Sequence, residues 1–369
     1  MSRFCDWSKV LLSADLQSAF GCLSRASRHI SKFAATRPAA LSYPVKFMRR
    51  FLYPSALAIL LCVWCTAMQV TGNWHLLRDH WQMSATMVLG SFVAGSTPAG
   101  GGAVAFPVFT KVLAVKSSDA ALFGLMIQSI GMSMASLFII SRRIPFYGTV
   151  YRWAAIGGSI SVVPAVLLLK IPAPLPKLLF SCLIFAFGLV LYWMQSTSSN
   201  EPGTLADDAP RFSPRQRLHL LLTGMAGGVL ASQLGSGADM LSFIVMIVAL
   251  GLAPKKAIPT TVLTMATISV AGFLAKLALQ PGEIGIVWHY WAVSVPVVAI
   301  GAPLGAFVLS KLPQQVVVRW VLALIVAEVA STLLVIDLTS GRITFIAATL
   351  AVACLWIWFL VHCRKTRTS

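Results

Sequence analysis

Apolar and polar positions in this chain alternate on the scale of whole segments. Runs of about 20 apolar residues recur, long enough to cross hydrocarbon as helices. They fall near 51–70, 118–140, 150–169, 177–194, 257–279, 288–309, 316–336 and 343–361. Two further apolar stretches, 84–115 and 218–250, are interrupted. The first contains Gly95-Ser96-Thr97-Pro98-Ala99-Gly100-Gly101-Gly102 and then Pro107. Pro98 lacks an N–H and biases Thr97 away from helix. Three consecutive glycines favour open or left-handed backbone. In hydrocarbon, non-helical backbone survives only where protein covers it or it lines a wet cavity. The break therefore suggests a polar ligand that needs free backbone N–H groups; a packing seam or a kink is the plainer reading.

The polar linker 195–217 divides the spans into halves, 84–194 and 218–336, flanked by one extra span at each end (51–70 and 343–361). The halves align without a gap at a constant offset of 137 residues, the separation of Gly90 from Gly227. Ala94 then meets Ala231, Gly100 meets Gly237, Phe106 meets Phe243, Ala120 meets Ala257 and Pro176 meets Pro313. A single register held this long indicates an internal duplication. Paired, glycine-interrupted segments in corresponding places point to a transporter's binding site. The predicted fold is an all-α polytopic membrane protein of two inverted repeats. Each has a glycine-rich re-entrant hairpin followed by three spans.

Composition agrees. Of 369 residues 57% are hydrophobic and 11% charged, against about 25% charged in soluble domains. The net charge of +18 does not indicate nucleic acid, because Lys and Arg cluster in the first 50 residues and at span ends, the positive-inside pattern. Counting them favours re-entrant hairpins over full crossings. Both termini and the linker are then expected in the cytoplasm, 71–82 and 280–287 outside, and the protein in the inner (plasma) membrane. Residues 1–50 read as a basic cytoplasmic tail; a start-site artefact or an organellar transit sequence are alternatives. Cys62 and Cys65 have no second pair to complete a zinc site and read as small apolar fillers.

The glycine-rich breaks carry a resemblance. The first is the run from Gly95 to Gly102 with Pro107. The second comprises 224–228, Gly235-Ser236-Gly237-Ala238-Asp239 and Ala257-Ile258-Pro259-Thr260-Thr261. Over about 84–336 the chain resembles the TauE/SafE family of anion exporters. It departs from the family at Ala238 and Asp239, where glycines are common. The resemblance implies transport of sulfite, organosulfonates or related small anions, not catalysis. No Walker A, H-E-x-x-H or G-x-S-x-G pattern appears, and no cofactor or metal site is expected. An accessory or assembly protein of transporter-like fold is the alternative function, and a homodimer is one possible assembly.

Half-helices starting after Gly102 and near Gly237 would present free N–H groups and positive dipole ends to an oxyanion. Gly100, Gly101, Gly102, Gly235 and Gly237 supply backbone. Ser96, Thr97, Ser232, Gln233 and Ser236 either contact substrate or cap helices. In the following spans, Gln128 and Thr260, Thr264 and Thr267 form polar stripes that line substrate or bond within their own helix. Asp239 is a proton-coupling group or a helix cap. Glu328 and Lys276 lie toward the same ends of their spans; they can pair, or Lys276 can snorkel.

Overall fold

The computed structural model describes residues 42–172, 175–197, 212–335 and 339–368. The basic tail 1–41 and linker residues 198–211 lie outside the described residues. The chain divides into two compact units, 1–51 and 52–369, and the helical bundle belongs to the second. Every regular element among the described residues is helical. After α1 (Ser42–Thr71) come α2 (Trp81–Ser96), α3 (Gly102–Pro107), α4 (Ser117–Ser141), α5 (Gly148–Leu168) and α6 (Leu175–Thr197). The second half supplies α7 (Pro214–Leu234), α8 (Ala238–Ile244), α9 (Pro254–Leu279), α10 (Val287–Leu309) and α11 (Gln314–Val335), and α12 (Ser340–Thr368) closes the chain. Helices α1, α4, α5, α6, α9, α10 and α12 contain stretches long and apolar enough to span a membrane. Helix α11 is of similar length and carries Arg319 and Glu328.

The duplication is visible in local geometry. Helix α3 widens into a π-helical turn at Val108–Val112, and α8 does so at Val245–Ala249, the corresponding positions. The bond Val115 N–H to Phe109 carbonyl (2.8 Å) recurs as Leu252 N–H to Met246 carbonyl (2.9 Å). Both interrupted segments turn back on themselves. Gly101 lies against the Gly90 carbonyl, and Ala238 lies against Gly227, again equivalent pairs. These are hairpins, as the charge pattern predicts.

The hairpins enter from opposite faces. Thr110, near the end of the first, accepts a bond from Lys177 at the start of α6 (2.9 Å). The N–H of Ala253, at the end of the second, reaches Tyr147 at the start of α5 (3.0 Å). The halves are interlocked: α10 packs along α2, and α5 packs along α7. These contacts are close because glycines line them. A Cβ on Gly95 would fall on the Ala302 carbonyl, one on Gly305 on Phe92, and ones on Gly157 and Gly224 on Leu221 and Ala154. In a membrane, where water exclusion does not drive helices together, such small-residue contacts give the packing its depth.

One boundary differs from the sequence pattern. Helix α7 begins at Pro214, inside the polar linker, because Ser213 and Gln216 form a capping box ahead of a proline at the first position. That signal is legible in the sequence but outweighed by the surrounding polar composition.

Candidate functional site

The tips of the two hairpins meet. Gly100 (φ 67°) faces the Asp239 carboxylate, and Gly102 faces the Ser236 hydroxyl. Gly237, the equivalent of Gly100, also has positive φ (115°), as does Gly235 (70°). These conformations favour glycine; of the three glycines expected to open the first break Gly100 does so, whereas Gly101 (φ −66°) has right-handed helical backbone and Gly102 already begins α3. The N–H groups of Gly101, Gly102, Ser236 and Ala238 make no hydrogen bond among the described residues. They flank the starts of α3 and α8, where unpaired donors and the helix dipole favour negative charge.

Side chains around the tips are buried with bonding capacity left over. Ser236 Oγ, Asp239 Oδ2, Ser242 Oγ, Gln128 Oε1 and Ser91 Oγ have no hydrogen-bond partner among the described residues. A buried polar atom without a partner costs about 1–3 kcal/mol, so several near one place mark a place that something polar visits. Asp239 uses its other oxygen locally: Oδ1 accepts from the N–H groups of Gly237 and Met240, both at 3.0 Å. Gly101, Gly102, Gln128 and Ser91 line a void of about 10 Å³, room for roughly one water. Gln128 donates to the Gly235 carbonyl (2.6 Å), tying α4 to the tip of the second hairpin.

Other expected site residues lie elsewhere or are engaged. Ser96 and Thr97 bond to the Phe92 and Val93 carbonyls of their own helix, and Thr97 also receives the Ala99 N–H. Thr260 bonds to the Lys256 carbonyl and receives the Tyr147 N–H, pinning the α4–α5 connection. Thr264 bonds to the Thr260 carbonyl. Gln233 reaches away from the first hairpin to the Leu169 carbonyl (3.0 Å) and to Ser232 Oγ. The hydroxyls of Ser96, Thr97, Thr260 and Thr264 thus bond to carbonyls of their own helices, whereas the Gln233–Leu169 and Tyr147–Thr260 bonds join separate segments. Cys62 and Cys65 are free thiols on the exposed side of α1.

Glu328 and Lys276 do not pair with each other. Lys276 bonds to Gln280 (2.7 Å) and Glu283 (2.8 Å). Glu328 pairs with Lys111 at 2.6 Å, and both side chains are buried. Thr332 and Ser331 also accept from the Lys111 ammonium, and Ser181 donates to the carboxylate. Lys111 sits at the end of the first hairpin and looked like a flanking cation in the sequence. Only the fold of the hairpin brings it back beside α11.

A cavity of about 360 Å³ runs from exposed Lys255, Ser310 and Leu312 to Gly95 and Pro98 at the first hairpin's tip. Ile139, Phe243, Ile258, Pro259 and Val318 are among its apolar walls. It opens on the face that carries the 142–147 and 310–313 connections. No cluster of metal-ligating side chains occurs among the described residues.

Comparison with protein-family models matches residues 83–333 to the model described as sulfite exporter TauE/SafE. No curated protein and no solved structure matches.

Proposed function

Because the chain belongs to the sulfite exporter TauE/SafE family, a family of multi-pass membrane transporters, we propose that it carries a small sulfur oxyanion or organosulfonate by alternating access, with the anion held where the two hairpin tips meet. One observation supports this most: equivalent breaks from opposite faces converge, leaving free N–H groups at Gly101, Gly102, Ser236 and Ala238 beside the unpartnered Ser236 hydroxyl. Oppositely inserted half-helices aimed at one point are a known way to hold an anion at mid-membrane depth. Gln128, whose amide N–H holds the Gly235 carbonyl, positions the tip of the second hairpin in the same locality.

Asp239 gives the reading its coupling step. A carboxylate beside an anion site repels the anion, whereas a carboxylic acid with its proton on Oδ2 does not. The proton would load with the anion and leave with it, so the anion would travel with the proton, in whichever direction the proton runs down its gradient. With Lys and Arg concentrated on the cytoplasmic side, the 360 Å³ cavity faces inward and the protein is in its inward-open form.

The test is flux. Proteoliposomes loaded with labelled sulfite, methanesulfonate or thiosulfate should lose at least one of them faster than empty liposomes, and a pH gradient should change the final distribution. Equal rates with and without protein for the whole panel would overturn the reading.

A further inference from the structure

The two hairpins are equivalent in sequence and alike in build, but their surroundings are opposite. On one face, Gly235 is pressed against Ala121 and Gly124: a Cβ on Gly235 would come 2.7 Å from the Ala121 carbonyl, and one on Gly124 would come 2.9 Å from the Gly235 Cα. The equivalents of Gly235 and Ala121 at the constant offset are Pro98 and Ile258. Both line the 360 Å³ cavity on the other face. One contact of a symmetric pair is closed and its twin is open.

The closed face is also held by polar contacts. Gln128 holds the Gly235 carbonyl (2.6 Å), Gln233 holds the Leu169 carbonyl (3.0 Å), and Lys276 holds Gln280 and Glu283. Glu283 in turn bridges to Lys170 (3.3 Å). The equivalent of Lys276 is Ile139, which lines the open cavity. Lys276 thus occupies a wall position of a vestibule that is shut, and its ammonium group is parked on Glu283. In proteins built from inverted repeats, the conformation of one repeat is accessible to the other, and exchanging them exchanges the open face.

We infer that the closed face opens into a second vestibule walled by Gly235, Ala121, Lys276 and Leu122, the equivalent of Pro259 in the open cavity, in which Lys276 leaves Glu283 and contacts the sulfonate or sulfite group. This deepens the transport reading and rests on it for the identity of the ligand. The vestibule differs from the open one in a way that matters for direction. It has a buried cation at the wall position where its twin has isoleucine, whereas Lys255 of the open cavity stands at the exposed mouth, so the second vestibule holds an anion more strongly at depth.

The experiment uses the full chain with its native cysteines replaced. A single cysteine is placed at position 121 (Ala121→Cys) or 258 (Ile258→Cys), and its reaction with a membrane-impermeant thiol reagent is timed on vesicles of each orientation. In the parent, Ile258→Cys reacts readily and Ala121→Cys slowly. Weakening the closed face with Gln233→Leu and Glu283→Gln should speed Ala121→Cys by about tenfold or more for the loss of one or two hydrogen bonds, while Ile258→Cys slows only by the share of molecules that leave the inward-open form. Methanesulfonate should then protect Ala121→Cys, and Lys276→Met should abolish that protection. Gln233→Leu alone should move both rates the same way by less, which serves where the double change impairs folding. Two results would overturn the inference: Ala121→Cys no faster in either variant than in the parent, or protection that survives Lys276→Met. Labelling needs no net flux. Exchange of accessibility without transport of any anion overturns the transport reading alone; transport without exchange of accessibility overturns this inference alone.

Discussion

At Gly100 and Gly102 the two halves of the protein touch through hydrogen atoms, and nothing larger fits. A Cβ at position 102 would collide with the Ser236 side chain, and one at position 100 with Asp239 at a φ that side chains resist. Gly102→Ala should reduce anion flux by about tenfold or more while the protein still inserts, because a displaced hairpin tip moves the N–H groups off the ligand. Ser236→Gly removes the colliding atoms, so Gly102→Ala should cost much less flux in the Ser236→Gly background than in the parent; an equal cost would mean the glycine serves something other than this contact. Gly101→Ala meets only the Gly90 carbonyl at 3.2 Å and the Ala94 methyl at 3.4 Å, so it should be the mildest of the three. Asp239→Asn keeps the size and the acceptor for the Gly237 and Met240 N–H groups but cannot carry a proton. It should still exchange labelled anion across the membrane in counterflow yet fail to concentrate it on a pH gradient. If gradient-driven uptake persists, Asp239 is a cap for α8 and nothing more.

The elements are held by unequal devices in the two repeats. The first hairpin is fastened to α6 and α11 by the buried Lys111–Glu328 pair with Ser181 and Thr332. At the constant offset, Lys111, Glu328 and Ser181 become Val248, Leu191 and Val318, so the second hairpin has no such fastening. Glu328→Gln leaves a buried ammonium without its counter-charge and should destabilise the protein by about 3–5 kcal/mol, read as a lower melting temperature in detergent. Replacing both, Lys111→Met with Glu328→Leu, should restore most of that loss; a double variant as unstable as the single one would show that the pair holds more than its own charge. Much at this scale is legible in the sequence. The hairpins announce themselves because Pro98 and the glycines forbid helix where hydrocarbon demands it, and the repeat register places α8 opposite α3. Which cation meets which carboxylate is not legible. Lys111 and Glu328 lie far apart in the chain, and pairing across folded hairpins leaves no local pattern. The roles of Gln233 and Thr260 are ambiguous for a related reason. A polar residue near a break looks the same whether it faces the ligand or a neighbouring carbonyl.

For the molecule as a whole, the closed face carries a titratable latch with a defined pH range. The hydrogen bond from Lys276, then that from Lys170, holds the Glu283 carboxyl below the usual glutamate range. A carboxyl whose pKa is lowered by closure contributes to closure at all pH above its free value, and the contribution is lost only as pH falls through the lowered value. Between about pH 6 and 8 the latch is therefore constant, since free glutamate titrates near 4.3. Ala121→Cys should react with thiol reagents at a rate that, corrected for thiolate fraction, does not change across that range; a rise on mild acidification would show that another group sets the latch. The interlocked packing carries a different consequence, for how the protein is made. Helix α2 leaves the ribosome long before α10, the helix it packs along. Until α10 and the second hairpin arrive, the open backbone of the first break is covered by elements of the first half alone, and backbone left bare is poorly tolerated in lipid. Biogenesis must therefore hold the first half in waiting, in the insertion machinery or against chaperones, and neither half can mature alone. A chain cut between α6 and α7 should accumulate only when both fragments are synthesised together, and each fragment by itself should be degraded.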